Sequence, residues 1–210
     1  MSAADWAAVA LSLRVALAAT ALALVPGVWL GWALARQRLR APWLWEYASL
    51  LPLVLPPVVT GYALLLALPR GLAFTWGAGV GASAIVGFPL LVMTARVAFE
   101  AVDPQLEDAA RADGARGAQV FRRITLPLAA PGVAAGAALH FARALGEFGA
   151  TVVVAGNIPM RTQTLPLALY AQLNTAGGEG PALMLAGVAV GLSAVCLGVY
   201  AVLLRRLRDR

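Results

Sequence analysis

The sequence predicts an all-α protein, a polytopic helical membrane protein with about five transmembrane helices. Three observations carry that reading. Hydrophobic residues make up 61% of the 210-residue chain and charged residues 12%, with a mean hydropathy of +0.80. Soluble domains average about 45–50% apolar and about 25% charged residues. Five stretches reach the ~20 apolar residues that cross a hydrocarbon core. The charges gather between those stretches and hardly enter them.

The expected spans are 11–34, 49–68, 80–99, 129–148 and 182–204, with a short outer segment, 1–10, and a basic tail, 205–210. Span one is softly interrupted at Pro26-Gly27, and span three carries Pro89. Span two holds Pro52, Pro56 and Pro57, so it is either a kinked packing helix or a broken one lining a pathway. The N-terminus has Asp5 and Trp6 and no arginine before Arg14. It lacks the basic start of a cleaved signal peptide, so span one is expected to be retained. Residues 165–173 are apolar but too short to span, and read as an interfacial or re-entrant helix within the outer insertion.

Composition excludes several chemistries. All 16 basic residues are arginine. A phosphate-binding Walker loop and a Schiff-base site both need a lysine. The lone histidine, His140, excludes two-histidine metal sites, and the lone cysteine, Cys196, excludes an internal disulfide. No nucleophile–base pair suggests an intramembrane enzyme. The net charge of +6 would suggest nucleic acid in a soluble protein; in a membrane protein it is the cytoplasmic arginine excess. Twelve of the 16 arginines fall in three zones that five spans place on one side: 36–40, 96–123 and 205–210. The opposite side keeps Arg70 and Arg161. The N-terminus is therefore expected outside and the C-terminus in the cytoplasm, with no nucleic-acid partner.

The inner loop, 100–125, is the most informative segment. Asp103-Pro104 is a favoured N-cap and first-turn pair, and acids cluster where the helix dipole favours them. Gly114 supplies the freedom of a C-cap. A second short helix puts Val120, Phe121 and Ile124 on one face and Gln119, Arg122 and Arg123 on another. Ala109 and Ala110 are small enough for a partner surface to approach closely. By composition alone this is an ordinary basic loop; its ordered spacing says more. Asp108, Ala109 and Ala110, three residues, Gly114, nine residues, then Ile124, Leu126 and Pro127 resemble the "EAA" loop of ABC importer permeases. The departure is Asp108 where that family has glutamate, with Glu107 just before it.

The resemblance reaches over nearly the whole chain. The run 51–61, LPLVLPPVVTG, looks like the second-span motif of molybdate permeases. The runs 143–151, RALGEFGAT, and 155–159, AGNIP, look like the molybdate and sulfate branch, and 161–170, RTQTLPLALY, resembles the molybdate form. The resemblance implies a type I ABC importer transmembrane domain over 11–204, working as a homodimer. It implies two cytoplasmic ABC ATPase subunits, which would bind ATP and Mg, and an extracytoplasmic oxyanion-binding protein. It implies no cofactor on this chain and makes Glu107, Asp108, Ala109, Ala110, Gly114, Ile124, Leu126 and Pro127 the ATPase-coupling residues. The substrate would be molybdate or a related oxyanion, tungstate or sulfate and thiosulfate being the alternatives. A stand-alone secondary transporter or channel is the rival of another class; it predicts inverted repeats, and the sequence shows none.

A dianion path needs donors that attract without trapping, which favours hydroxyls, amides and helix N-termini over an arginine cage. Candidates are Thr60, Thr151, Asn157, Thr162, Gln163 and Thr164, although for any one of them a turn or capping role is the readier explanation. Arg143 and Glu147, four apart, share a helix face: a gate pair, or a pair stabilising the end of span four. Gly146 and Gly149 would let backbones approach there. Arg14 is expected to snorkel. His140 and Cys196 read as packing residues rather than substrate contacts.

Overall fold

The computed structural model describes residues 1–69 and 71–208. Arg70 and the end of the basic tail, Asp209 and Arg210, lie outside the described residues, as do the side chains from 206 onward. The helices in chain order are α1 (Ala3–Ala35), α2 (Pro42–Val54), α3 (Pro57–Ala67), α4 (Trp76–Glu100), α5 (Pro104–Ala112), α6 (Gly117–Val120), a π-helical segment (Phe121–Thr125), α7 (Leu126–Leu145), α8 (Gly149–Val154), α9 (Leu165–Leu173) and α10 (Glu179–Arg208).

Among the described residues four helical stretches are long and apolar enough to cross a membrane, α1, α4, Gly117–Leu145 and α10, and five if the bent pair α2–α3 is taken as one span. The first starts well before residue 11 because Ser2 and Asp5 close a capping box, Ser2 accepting from the Asp5 amide and Asp5 from the Ser2 amide. At the centre α1 packs parallel to α4. Gly27 lies against Leu91 and Gly31 against Ala95, so close that a Cβ on Gly31 would stand 2.8 Å from that of Ala95. Small residues permit this approach, which in lipid must replace the absent hydrophobic drive between helices. Running antiparallel to α4, α7 sets Ala129 by Ala98 and Phe99 at one end and Ala144 by Val80 and Ala84 at the other.

Because α1 and α4 run parallel, the chain must return between them, and α2 and α3 carry it back. Beginning with Glu46 beside Arg96, α2 runs antiparallel to α4 until Pro52 lines an apolar groove with Gly81 and Ile85. There the expected single span 49–68 resolves into two helices bent by 112°. Pro57 pushes the residue before it out of helical space, and Pro56 is extended at φ −53°, ψ 131°. From this break α3 runs on along α8, and its end leads into α4. The second loop helix also differs from expectation: it is continuous with α7 through the π segment, where the Leu126 amide donates to Phe121 O. The segment between α7 and α10 holds two short helices, α8 and α9; α9 packs on Ala8, Val9 and Leu185 at the N-terminal end of α1.

Candidate functional site

The element between α4 and α7 is built from its caps. Asp103 accepts from the Gln105 amide at 2.9 Å and starts α5 ahead of Pro104. Gly114 ends it at φ +87°, a left-handed conformation that costs a side-chain-bearing residue about 1–2 kcal/mol. The Gly114 amide donates to Arg111 O and the Ala115 amide to Ala110 O, both at 3.0 Å, which folds the chain back onto α6. Between the two helices lies a cleft of about 400 Å³ lined by Ala110, Gly114, Gln119, Arg123 and Ile124. Asp108 and Ala109 are exposed on the outward face of α5; among the described residues Asp108 pairs only with Arg111, on its own helix. Leu126 is partly buried and Pro127 exposed where α7 begins.

Glu107 does something else. It is 5% exposed and faces inward. Its Oε1 accepts from Arg36 at 2.7 and 3.2 Å and from the Thr125 hydroxyl at 2.8 Å, and its Oε2 accepts from Arg111 at 3.0 Å. Arg36 also donates to Val102 O at 3.2 Å. Burial alone would raise the carboxyl's pKa. The hydrogen bonds from Arg36 and Thr125, with the Arg36 charge, outweigh it and hold the group below its ordinary 4.5. Three elements thus meet on one carboxylate: the end of α1, α5 and the last residue of the π segment. Sequence reasoning placed Glu107 in the loop but missed both partners. Arg36 looked like one more topogenic arginine, and Thr125 carried no signal of its own.

At the opposite end, Arg143 and Glu147 are paired at 2.7 Å. Glu147 is 2% exposed and also accepts from the Ala150 amide at 2.7 Å, holding the first turn of α8. Gly149 and Gly61 let α8 and α3 touch: a Cβ on Gly61 would stand 2.7 Å from Ala150 Cα, and one on Gly149 2.9 Å from Pro57 Cβ. Gly146 ends α7 without any such approach. Thr60 on α3, Ser83 on α4 and Thr151 on α8 are all buried, and among the described residues their hydroxyls have no hydrogen-bond partner. Thr151 packs against α4 at Gly79, one turn from Ser83. Ser83 is the residue that sequence reasoning missed here; a lone hydroxyl inside an apolar span was the available signal.

Of the remaining candidates, Asn157, Thr162 and Gln163 tie the 157–167 stretch to itself. Asn157 donates to Leu167 O at 3.4 Å and accepts from Gln163 at 2.9 Å, and Thr162 accepts from the Ile158 amide. Thr164 is buried with an unpartnered hydroxyl, while the next amide, Leu165, donates to Ser12 at 2.6 Å. His140 is fully buried between α1 and α4, 3.0 Å from the Thr20 hydroxyl and 3.2 Å from Ala84 O. Cys196 is buried among Val15, Ala19 and Leu145. Among the described residues no three His, Cys, Asp or Glu side chains gather as metal ligands.

A helical bundle with one sharply broken span, and a short charged helix pair set between two packed spans, is a fold this chain shares with solved membrane chains of ABC transporters. The chain superposes on a chain of the MetNI methionine ABC transporter with a TM-score of 0.81, 16% identity and 99% of each chain covered. An amino acid ABC transporter crystallised with histidines gives a TM-score of 0.67 at 20% identity, covering 97% of this chain and 94% of that one. Residues 27–209 match the family described as binding-protein-dependent transport system inner membrane component, and the chain belongs to that family. It is a multi-pass membrane permease subunit whose ATPase is a separate chain. It is 41% identical to the molybdenum transport system permease protein ModB of Escherichia coli K12, over 98% of this chain and 96% of that protein. The ModB of Haemophilus influenzae gives the same identity and coverage. The ModB of Mycobacterium bovis is 42% identical over 92% of this chain and 78% of its own length.

Proposed function

We propose that this permease translocates molybdate inward across the cytoplasmic membrane, driven by ATP hydrolysis in partner subunits. The observation that carries the substrate is the 41% identity, over nearly the whole of both chains, to permeases named for molybdenum transport. Two copies form the pathway, since the spans of one are too few to enclose it. The N-terminus lies outside and the C-terminus inside, which puts α5, α6 and the π segment in the cytoplasm. There two ABC ATPase subunits, holding ATP and Mg, dock on Asp108, Ala109, Ala110 and Gly114, while Ile124, Leu126 and Pro127 join the docked element to α7. An oxyanion-binding protein delivers the anion at the opposite face. This chain binds no cofactor of its own.

The path runs past Thr60, Thr151 and the Arg143–Glu147 pair, with Gly146, Gly149 and Asn157 shaping the outer end. What supports the hydroxyls is their spare hydrogen-bonding capacity, since a buried polar group without a partner is costly unless something else uses it. The Arg143 charge opposite Glu147 keeps an uncompensated carboxylate from repelling a dianion.

The test is uptake into liposomes holding the permease and its ATPase, with the binding protein and labelled molybdate outside. ATP-dependent uptake that a tenfold excess of sulfate does not suppress supports the reading. Suppression by sulfate moves the substrate to that anion, and uptake without the ATPase refutes the importer. Gly114→Val should abolish ATPase co-purification while leaving membrane insertion intact.

A further inference from the structure

The α5 element is joined covalently to α4 and α7 but not to α1. Only packing and side chains connect it to α1. The α1–α4 contact is apolar along its length, with Gly27 against Leu91, Gly31 against Ala95, and Leu30 and Leu34 packed with Val92. One directional link crosses that gap. The guanidinium of Arg36, at the C-cap of α1, binds Glu107 through two nitrogens and Val102 O through one of them. Both side chains are largely shielded, 15% and 7% exposed, so salt screens the pair little. Thr125 locks the same carboxylate to the π segment at the root of α7. π segments mark places where a helix register is adjusted, often at functional positions.

We infer that Arg36 and Glu107 form a clasp through which displacement of α5 is passed sideways to α1, so that α1 travels as one body with α5 and the root of α7 during transport. The inference rests on the reading of α5 as the docking element. It gives Glu107 a positioning role separate from its exposed neighbour Asp108, and gives Arg36 a role beyond topology. Arg111 also holds Glu107 but sits on the same helix, so it cannot pass motion to α1.

The experiment uses the full complex in liposomes, with the permease in a Cys196→Ser background carrying Gln37→Cys and Gln105→Cys, both exposed positions. Spin labels there report the α1–α5 distance with and without trapped ATP, while molybdate moved per ATP hydrolysed is measured in parallel. In the unmutated clasp the distance distribution stays narrow and unchanged between states. In Glu107→Gln and in Arg36→Gln it broadens, and molybdate moved per ATP falls about tenfold while hydrolysis continues. Arg36→Lys restores most of the ratio, and Arg111→Gln leaves it unchanged. An unchanged ratio and distribution in both clasp variants overturns the inference. So does loss of ATPase co-purification in both, which would make Glu107 part of the docking surface. Failure of the importer reading would show differently, as a wild-type complex that does not hydrolyse ATP in response to loaded binding protein, and the label distances would still report on the clasp.

Discussion

The two ends of the bundle handle buried polarity in opposite ways. At the α5 end one carboxylate, Glu107, receives hydrogen bonds from three side chains on three elements. At the α8 end Glu147 is still more deeply buried, but its ion pair is with a residue four positions back, and among the described residues three hydroxyls on α3, α4 and α8 find no partner. A fully satisfied network rigidifies, while spare donors and acceptors are a cost that a passing ligand can relieve. On the function proposed above, the first end transmits and the second interacts.

The largest effect is expected where backbones touch. A side chain at Gly61 meets Ala150 backbone atoms at 2.7 and 2.8 Å, which cannot turn aside. Gly61→Val should therefore destabilise by about 3 kcal/mol, the upper range for overpacking, and abolish transport. Thermal unfolding in detergent measures the first and liposome uptake the second. Next comes the direct contrast of carboxylates. Glu107→Leu strands Arg36 in a shielded site and should cost about 3 kcal/mol. Glu147→Leu frees an Arg143 that is 29% exposed and can turn to water, and should cost only about 1 kcal/mol beyond the lost α8 cap. Equal losses in the same melting assay would erase the distinction between the two ends.

A smaller effect follows from pH. The folded-state pKa of Glu107 is lowered below 4.5, so its contribution to stability is complete above that value and is lost as pH falls through the folded pKa. Melting followed from pH 6 downward should show a loss that begins as pH falls through the ordinary carboxylate value near 4.5 and ends below the lowered folded-state pKa, and that is missing from Glu107→Gln. The smallest effect on stability should come from Thr151→Val and Thr60→Val. Each removes a hydroxyl that has no partner, so stability should change by less than about 1 kcal/mol or rise, while uptake falls about tenfold. Unchanged uptake in both would leave those hydroxyls outside the path.

Much of this was legible in the chain. The spans announce themselves by length and apolarity, and the α5 element by Asp103-Pro104 and Gly114, because caps and turns are written locally. The break in span two was half legible: three prolines signalled an interruption, but whether it would be a kink or a 112° turn depended on what α3 found to pack against, namely Gly149 and Ala150. The clasp was illegible because Arg36 and Glu107 are 71 positions apart, and the arginine has a sufficient topological explanation without its partner. The π segment was hidden too, since one extra residue in a turn leaves the apolar pattern of a helix nearly intact.

The central claim is that the α5–α6 hairpin is the surface the ATPase grips. It is tested most directly by placing a single cysteine on it, Ala110→Cys in a Cys196→Ser background, and probing it in membranes with and without the ATPase. The account predicts that a bifunctional reagent joins this cysteine to the ATPase in high yield and that bound ATPase shields it from soluble maleimide. A cysteine that stays fully reactive in an intact, hydrolysing complex would contradict it.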